Sequence, residues 1–255
     1  MRVNSQPIRS RQTSPHPALP CLIERRLRQP FARPVDPRSE TVFADLDVWL
    51  RDQDRPLILD AGCGTGASTR ELADRHPHCA VLGIDKSAHR LARQPAALPP
   101  NCRLARADLV DCWRLAAGAG WQPQRHYLLY PNPWPKPAQL ARRWHAHPVL
   151  PWILALGGTL ELRTNWPVYA TEFARAVGLL LGRPLAAGPF EADTPLSPFE
   201  RKYRDSGQAL YACRVQLTPA ERNHWLQTTS RAVARNQLVT TNRASGPRRP
   251  PPYIP

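Results

Sequence analysis

Between about residues 39 and 236, short apolar runs alternate with longer stretches whose apolar residues recur at helical spacing. The runs 57–61 (LILDA), 80–84 (AVLGI), 102–106 (CRLAR), 126–130 (HYLLY), 159–164 (TLELRT) and 209–216 (ALYACRVQ) predict strands, with a weaker one near 185–191. Helices are predicted around 40–51, 67–76, 87–93, 109–117, 145–156, 166–181 and 219–235. Phe43, Leu46, Val48, Trp49 and Leu50 give the first helix an apolar stripe, and Ser39 or Thr41 stands where a side chain could cap its start. Strand and helix in alternation predict an α/β fold: a mostly parallel seven-stranded sheet with helices on both faces. No internal repeat is visible.

The flanks break this pattern. Residues 1–38 and 237–255 are rich in Pro and Arg and too poor in apolar residues to bury a core, so they read as a mobile basic arm and a disordered tail around one domain, 39–236. Pro7, Pro15, Pro17 and Pro20 argue against an amphipathic helix at the start.

Charge narrows the choice of partner. The chain carries 35 Lys and Arg against 20 Asp and Glu, a formal net charge of +15. Only Lys86, Lys136 and Lys202 of these are lysine. Such an excess favours nucleic acid, because cations that neutralise phosphates release counterions; an Arg-favouring codon bias would give the same arithmetic. No run approaches the roughly 18 apolar residues that span a bilayer. The six cysteines show no metal-ligand spacing, so free thiols in a reducing cytosol and no metal are the expectations, together with a cytoplasmic location and a monomer.

The segment Leu57-Ile-Leu-Asp-Ala-Gly-Cys-Gly-Thr-Gly66 places a glycine-rich turn between a strand and a helix. Glycine there permits φ > 0 and close approach of a ligand, and the helix start presents free N–H groups, so a nucleotide is the natural ligand. Nicotinamide enzymes use GxGxxG, whereas Gly62, Gly64 and Gly66 alternate. Asp60 stands where a carboxylate could hold an amino group, which S-adenosylmethionine carries and a pyrophosphate would repel. Asp85 ends the second strand, where it could accept from both ribose hydroxyls. Asp108 follows the third, near where adenine would lie, although a helix N-cap explains it as well. Three acids, each after its own strand, favour S-adenosylmethionine over NAD.

The fourth strand runs into Tyr130-Pro-Asn-Pro-Trp-Pro-Lys136, a turn that three prolines hold out of helix at the carboxyl edge of the sheet. Arg142 and Arg143 follow. Here the chain resembles the tRNA (guanine-N7)-methyltransferase family, a class I, Rossmann-like S-adenosylmethionine-dependent group. Its corresponding turn reads Pro-Asp-Pro-Trp-x-Lys, with paired arginines at the same later spacing. The resemblance extends from about Leu57 to Tyr211. It implies that Asp60, Gly62, Gly64, Gly66, Asp85 and Asp108 hold the cofactor, that Asn132 occupies the catalytic position, and that Lys136 contacts the substrate. Thr164-Asn165-Trp166 matches a Thr-Asp-Trp that contacts the substrate, and Ser197-Pro198-Phe199-Glu200-Arg201 matches a Thr-Lys-Phe-Glu that contacts the guanine. Arg142, Arg143 and the N-terminal Arg25, Arg26 and Arg28 would then meet phosphate, with tRNA as the implied partner.

Asn132 and Asn165 depart from the family's aspartates, and 137–141 (PAQLA) lacks its usual basic and His residues. Guanine N7 has a free lone pair, so its methylation needs no general base; position and charge complementarity do the work. An asparagine at 132 can orient the base without neutralising the cationic product, which would slow the step roughly tenfold. Two other readings stay open: a relative that methylates an exocyclic amine or small molecule, since Asn132-Pro133-Trp134 partly matches an Asn-Pro-Pro-aromatic turn, and a non-catalytic RNA-binding homologue. Among the aromatics, Trp134 is the candidate for base stacking, whereas Trp152 and Trp166 read as core. His145 and His147 are either phosphate contacts or a solvated helix start.

Overall fold

The computed structural model describes residues 5–29, 31, 33–94 and 97–244, with backbone alone from 233 onward. Seven strands form one sheet: β1 (Leu57–Ala61), β2 (Ala80–Asp85), β3 (Cys102–Arg106), β4 (Arg125–Leu129), β5 (Thr159–Thr164), β6 (Gly188–Phe190) and β7 (Leu210–Gln216). Their order is β3-β2-β1-β4-β5-β7-β6. Neighbours among β1 to β5 pair parallel, and β7 pairs antiparallel to both β5 and β6. This is the mostly parallel seven-stranded sheet that the strand–helix alternation predicts, in the class I methyltransferase order that the family resemblance implies. The chain builds outward from β1 through β2 to β3, then returns to place β4 on the other side of β1. Such a reversal opens a crevice at the carboxyl ends of β1 and β4, where open α/β sheets bind ligands.

The helices are α1 (Leu19–Arg28), α2 (Pro37–Gln53), α3 (Ala67–Arg75), α4 (Ala88–Leu91), α5 (Leu109–Gly118), α6 (Leu150–Ala155), α7 (Pro167–Leu181), α8 (Pro198–Asp205) and α9 (Pro219–Ala244), with 3-10 turns at Pro137–Arg142 and Trp144–Ala146. Every residue of β1 and β2 is buried, as strands covered by helices on both faces require. Gly83 in β2 is needed for close approach: a Cβ there would lie 2.3 Å from the Thr69 hydroxyl and 2.7 Å from Leu104. Its absence lets the first turn of α3 settle on the sheet. His126 in β4 is wholly buried, and burial lowers its pKa to about 3. The neutral ring accepts from Trp113 Nε1 at 3.1 Å, joining α5 to the sheet.

Several expectations are corrected. The N-terminal arm is not wholly mobile, because α1 buries Leu19, Leu22 and Ile23 in the main core. The last of the prolines, Pro20, sits in its first turn, where a missing N–H costs nothing. Asp36, rather than Ser39 or Thr41, caps α2 by accepting from Arg38 N, with Pro37 as first helical residue. The helix expected over 145–156 is split, since Pro148 and Pro151 confine it to 3-10 turns and the short α6. Helix α8 was not expected. Helix α9 runs past 236, while 245–255 of the expected tail lie outside the described residues.

Candidate active site

The glycine loop leaves β1 and returns to its neighbour at once: Gly62 N and Cys63 N both donate to Ile84 O, at 2.8 and 3.1 Å. Gly62, Gly64 and Gly66 all have φ between 62° and 86°. At Gly66 a Cβ would also strike Leu104 at 2.3 Å, so glycine serves there twice. Asp60, at the end of β1, is 1% exposed. Its Oδ2 accepts from Ser68 Oγ at 2.6 Å and Thr69 Oγ1 at 2.8 Å, while its Oδ1 is buried without a partner. Burial raises its pKa to about 6, against the pull of the two hydroxyls. Ser68 and Thr69 were missed in the sequence, although their place on the first helical turn after the loop could have marked them.

An unpartnered buried carboxylate oxygen two residues before a glycine loop fits a cationic ligand group. The ammonium of S-adenosylmethionine is such a group. Asp85 Oδ2 accepts from Gly64 N at 3.0 Å and Arg90 Nη1 at 3.1 Å, and its Oδ1 from Ser87 N at 2.7 Å. The carboxylate thus braces the loop and keeps one further lone-pair position for a hydroxyl. Asp108 caps α5 through Val110 N at 2.8 Å and pairs with Arg33 at 3.3 Å.

On the acceptor side, Tyr130 N donates to Arg163 O at 2.8 Å, which carries the Pro-rich turn directly off the sheet edge. Tyr130 and Trp134 adopt φ of 51° and 45°, unusual for large side chains and held only by their surroundings. Asn132 Oδ1 accepts from Trp134 N at 3.2 Å and so closes a side-chain turn. Arg143 clamps the same turn from beneath: Nη2 donates to Trp134 O at 3.0 Å, and the guanidinium lies 4.9 Å from the Trp166 ring centre.

Arg143 therefore corrects the phosphate expectation. It is fully buried, pairs with Glu172, and donates to Gln12 Oε1 at 2.9 Å. His145 is buried beside it, 2.9 Å from Glu172, and is neither a phosphate contact nor a solvated helix start. Burial would raise Glu172, but the hydrogen bonds from His145 and His16 N and the Arg143 charge bring its pKa down to about 2. Arg142 faces outward instead, 4.8 Å from the centre of the Trp134 ring. Lys136 is also exposed. Trp152 and Trp166 pack in the core.

Glu200 is likewise turned inward. It accepts from Arg163 Nη1 at 2.8 Å and Leu196 N at 2.7 Å with no exposed surface, so it supports the site from behind rather than lining it. Ser197 Oγ accepts from Glu200 N at 3.1 Å and caps α8. The Ser-Pro-x-Glu start was the signal for this helix. Asn165 donates to Gln208 Oε1 at 2.9 Å.

Residues 54–213 match the model of a family described as "Putative methyltransferase". The tRNA (guanine-N(7)-)-methyltransferase of Leifsonia xyli subsp. xyli is 30% identical over 188 residues, spanning 69% of this chain and 82% of the relative. That of Nocardia farcinica is 32% identical, over 65% and 68% of the two chains. The chain belongs to the tRNA (guanine-N7)-methyltransferase family. A further relative, from Treponema pallidum, is 33% identical over 167 residues, and the chain spans 65% of that protein's length. The cofactor of this family is S-adenosylmethionine, for which the Asp60 carboxylate and its loop are suited. Among the described residues, no helix is long and apolar enough to cross a membrane.

Proposed function

We propose that this protein transfers a methyl group from S-adenosylmethionine to N7 of a guanine in tRNA. The observation that carries the reading is the buried, unpartnered Asp60 oxygen at the glycine loop, set at the same sheet edge as the Pro-Asn-Pro-Trp turn. Asp60 would hold the ammonium, Asp85 the ribose, and Gly62 to Gly66 would give the cofactor room. Bound there, S-adenosylmethionine supplies an electrophilic methyl that the N7 lone pair can take in line, leaving a cationic 7-methylguanine and a neutral thioether.

The chain's own residues then orient and shield. Asn132 holds the turn, and Trp134 offers a ring to the base with Arg142 on it. Neither step requires a proton to move, which suits a site whose His145 and Glu200 are both sealed in the interior. Lys136, Arg142 and the arginines of α1 are the phosphate contacts of this reading. The free cysteines accord with a reducing cytoplasm.

Nucleoside mass spectrometry of total tRNA, incubated with protein and S-adenosylmethionine beside a protein-free control, tests the proposal. The expected product is 7-methylguanosine. A different methylated nucleoside without 7-methylguanosine would refute it in favour of another acceptor atom, and no product together with no cofactor binding at millimolar ligand would point to the RNA-binding homologue.

A further inference from the structure

Gln208, just before β7, links Asn165 to the N-terminal segment through two amide groups. Ser5 O is a backbone carbonyl and can only accept, so the end of Gln208 that lies 2.9 Å from it is Nε2. Gln208 Oε1 therefore faces Asn165, and the Asn165 atom 2.9 Å away is Nδ2. A main-chain oxygen thus dictates both amide orientations from one end. One Nδ2–H of Asn165 is spent on Gln208, which fixes the orientation of the amide, and no described group donates to its Oδ1. Asn165 is half-exposed at the end of β5, next to the strand that carries the Pro-rich turn.

We propose that Gln208 is a positioning residue that holds the nitrogen end of Asn165 and so turns its oxygen toward the base. The inference rests on the guanine reading above. Left to itself, an asparagine can turn either end to a ligand, and its donor would suit the ring nitrogen of an adenine as well as its acceptor suits the N–H groups of a guanine. Held by Gln208, it leads with its oxygen, the atom that a carboxylate would present there. A neutral side chain in place of the family's aspartate thereby keeps its preference for guanine's Watson–Crick donors. The N-terminal segment takes part, because Ser5 O sets the sense of the whole chain.

The test is steady-state methylation of a tRNA transcript by the wild type, Gln208→Lys, Asn165→Asp and the double variant. A lysine at 208 can only donate, so it turns the Asn165 oxygen inward and its amino group toward the base. The tRNA KM is expected to rise roughly tenfold with kcat little changed. Adding Asn165→Asp lets the lysine pair with one carboxylate oxygen while the other faces the base, and KM should return to within about threefold of Asn165→Asp alone. Gln208→Leu, which releases the amide without reversing it, should give a smaller rise and serves if the lysine variant fails to fold. Melting temperature and S-adenosylmethionine affinity should stay at wild-type values in every variant.

An unchanged KM in Gln208→Lys, or effects of the two substitutions that simply multiply, overturns the positioning role. The wild-type product is identified separately: 7-methylguanosine with multiplying effects refutes the role of Gln208 alone, whereas its absence refutes the reaction and this inference together.

Discussion

The cofactor half and the acceptor half of the site are built at one sheet edge from opposite materials. Asp60 keeps a buried oxygen with no partner, whereas Asn132, Asn165, Ser197 and Glu200 are each bonded to a neighbour within the protein. A group left unsatisfied in the interior costs free energy that a ligand can repay. One already satisfied can act only by shape, or through its remaining lone pairs. A motif shows neither state; the hydrogen bonds separate Asp60 from these four side chains.

Replacing the unsatisfied group gives the largest expected effect. Asp60→Asn removes the charge that would pair with an ammonium, and S-adenosylmethionine affinity by calorimetry should fall at least about a hundredfold. The apo protein should become more stable. Its carboxyl titrates at about 6 when folded against 3.8 for the free group, so the fold takes up a proton between those values and loses stability as pH rises through them. That penalty is up to about 3 kcal/mol at neutral pH. A variant that loses affinity without gaining melting temperature would break the contrast.

Glu172 is the counterpart on the satisfied side. Its carboxylate joins Arg143, His145, Gln12 and His16 N in a sealed cluster that ties the N-terminal segment to the turn. Its pKa is depressed to about 2 from 4.5, so its contribution is complete above pH 4.5 and is lost as pH falls toward 2. Glu172→Gln leaves Arg143 as an uncompensated buried charge, at a cost of about 3 kcal/mol. Thermal unfolding at pH 7 should show a loss on the order of 10 °C. Equal melting temperatures for this variant and the wild type would remove the cluster as the clamp of the turn.

Acidity should divide the halves as well. Below pH 6 Asp60 takes up its proton, and cofactor affinity should weaken roughly tenfold per pH unit. The Glu172 carboxylate stays charged over the same range, so between pH 6 and 5 the melting temperature should not fall, and should rise slightly as Asp60 gains its proton, while binding declines. Titrating affinity and stability side by side checks this.

What could be read in the sequence follows the same division. The strands and the glycine loop were legible because both are local: apolar runs bounded by turn residues, and glycine where φ is positive. Asp60 was legible as an acid in an unusual place. Arg143 and Glu200 were not, because a charge next to a reactive motif looks the same whether its partner is a phosphate or a carboxylate distant in sequence. Glu172 is 29 residues from Arg143, and Gln12 is 131. Helix α1 was hidden by prolines that proved compatible with its first turn.

The smallest effect falls on Asn132, and it is the sharpest probe of the acceptor half. Its Oδ1 already closes the turn by accepting from Trp134 N. Aspartate is nearly isosteric and can keep that bond with one oxygen, so Asn132→Asp changes charge while preserving shape. If the turn acts through shape alone, kcat for tRNA methylation stays where it is. If the developing positive charge on the base is felt at this position, kcat should rise up to about tenfold with KM little moved, since the charge helps only as the product cation forms. We expect the rise: the position lies on the exposed turn, and the prolines at 131, 133 and 135 hold its backbone in place for either side chain. A fall in kcat with unchanged melting temperature would instead mean that the amide N–H₂ is itself a donor to the acceptor, which is incompatible with guanine N7 as an unassisted nucleophile beside a merely structural asparagine.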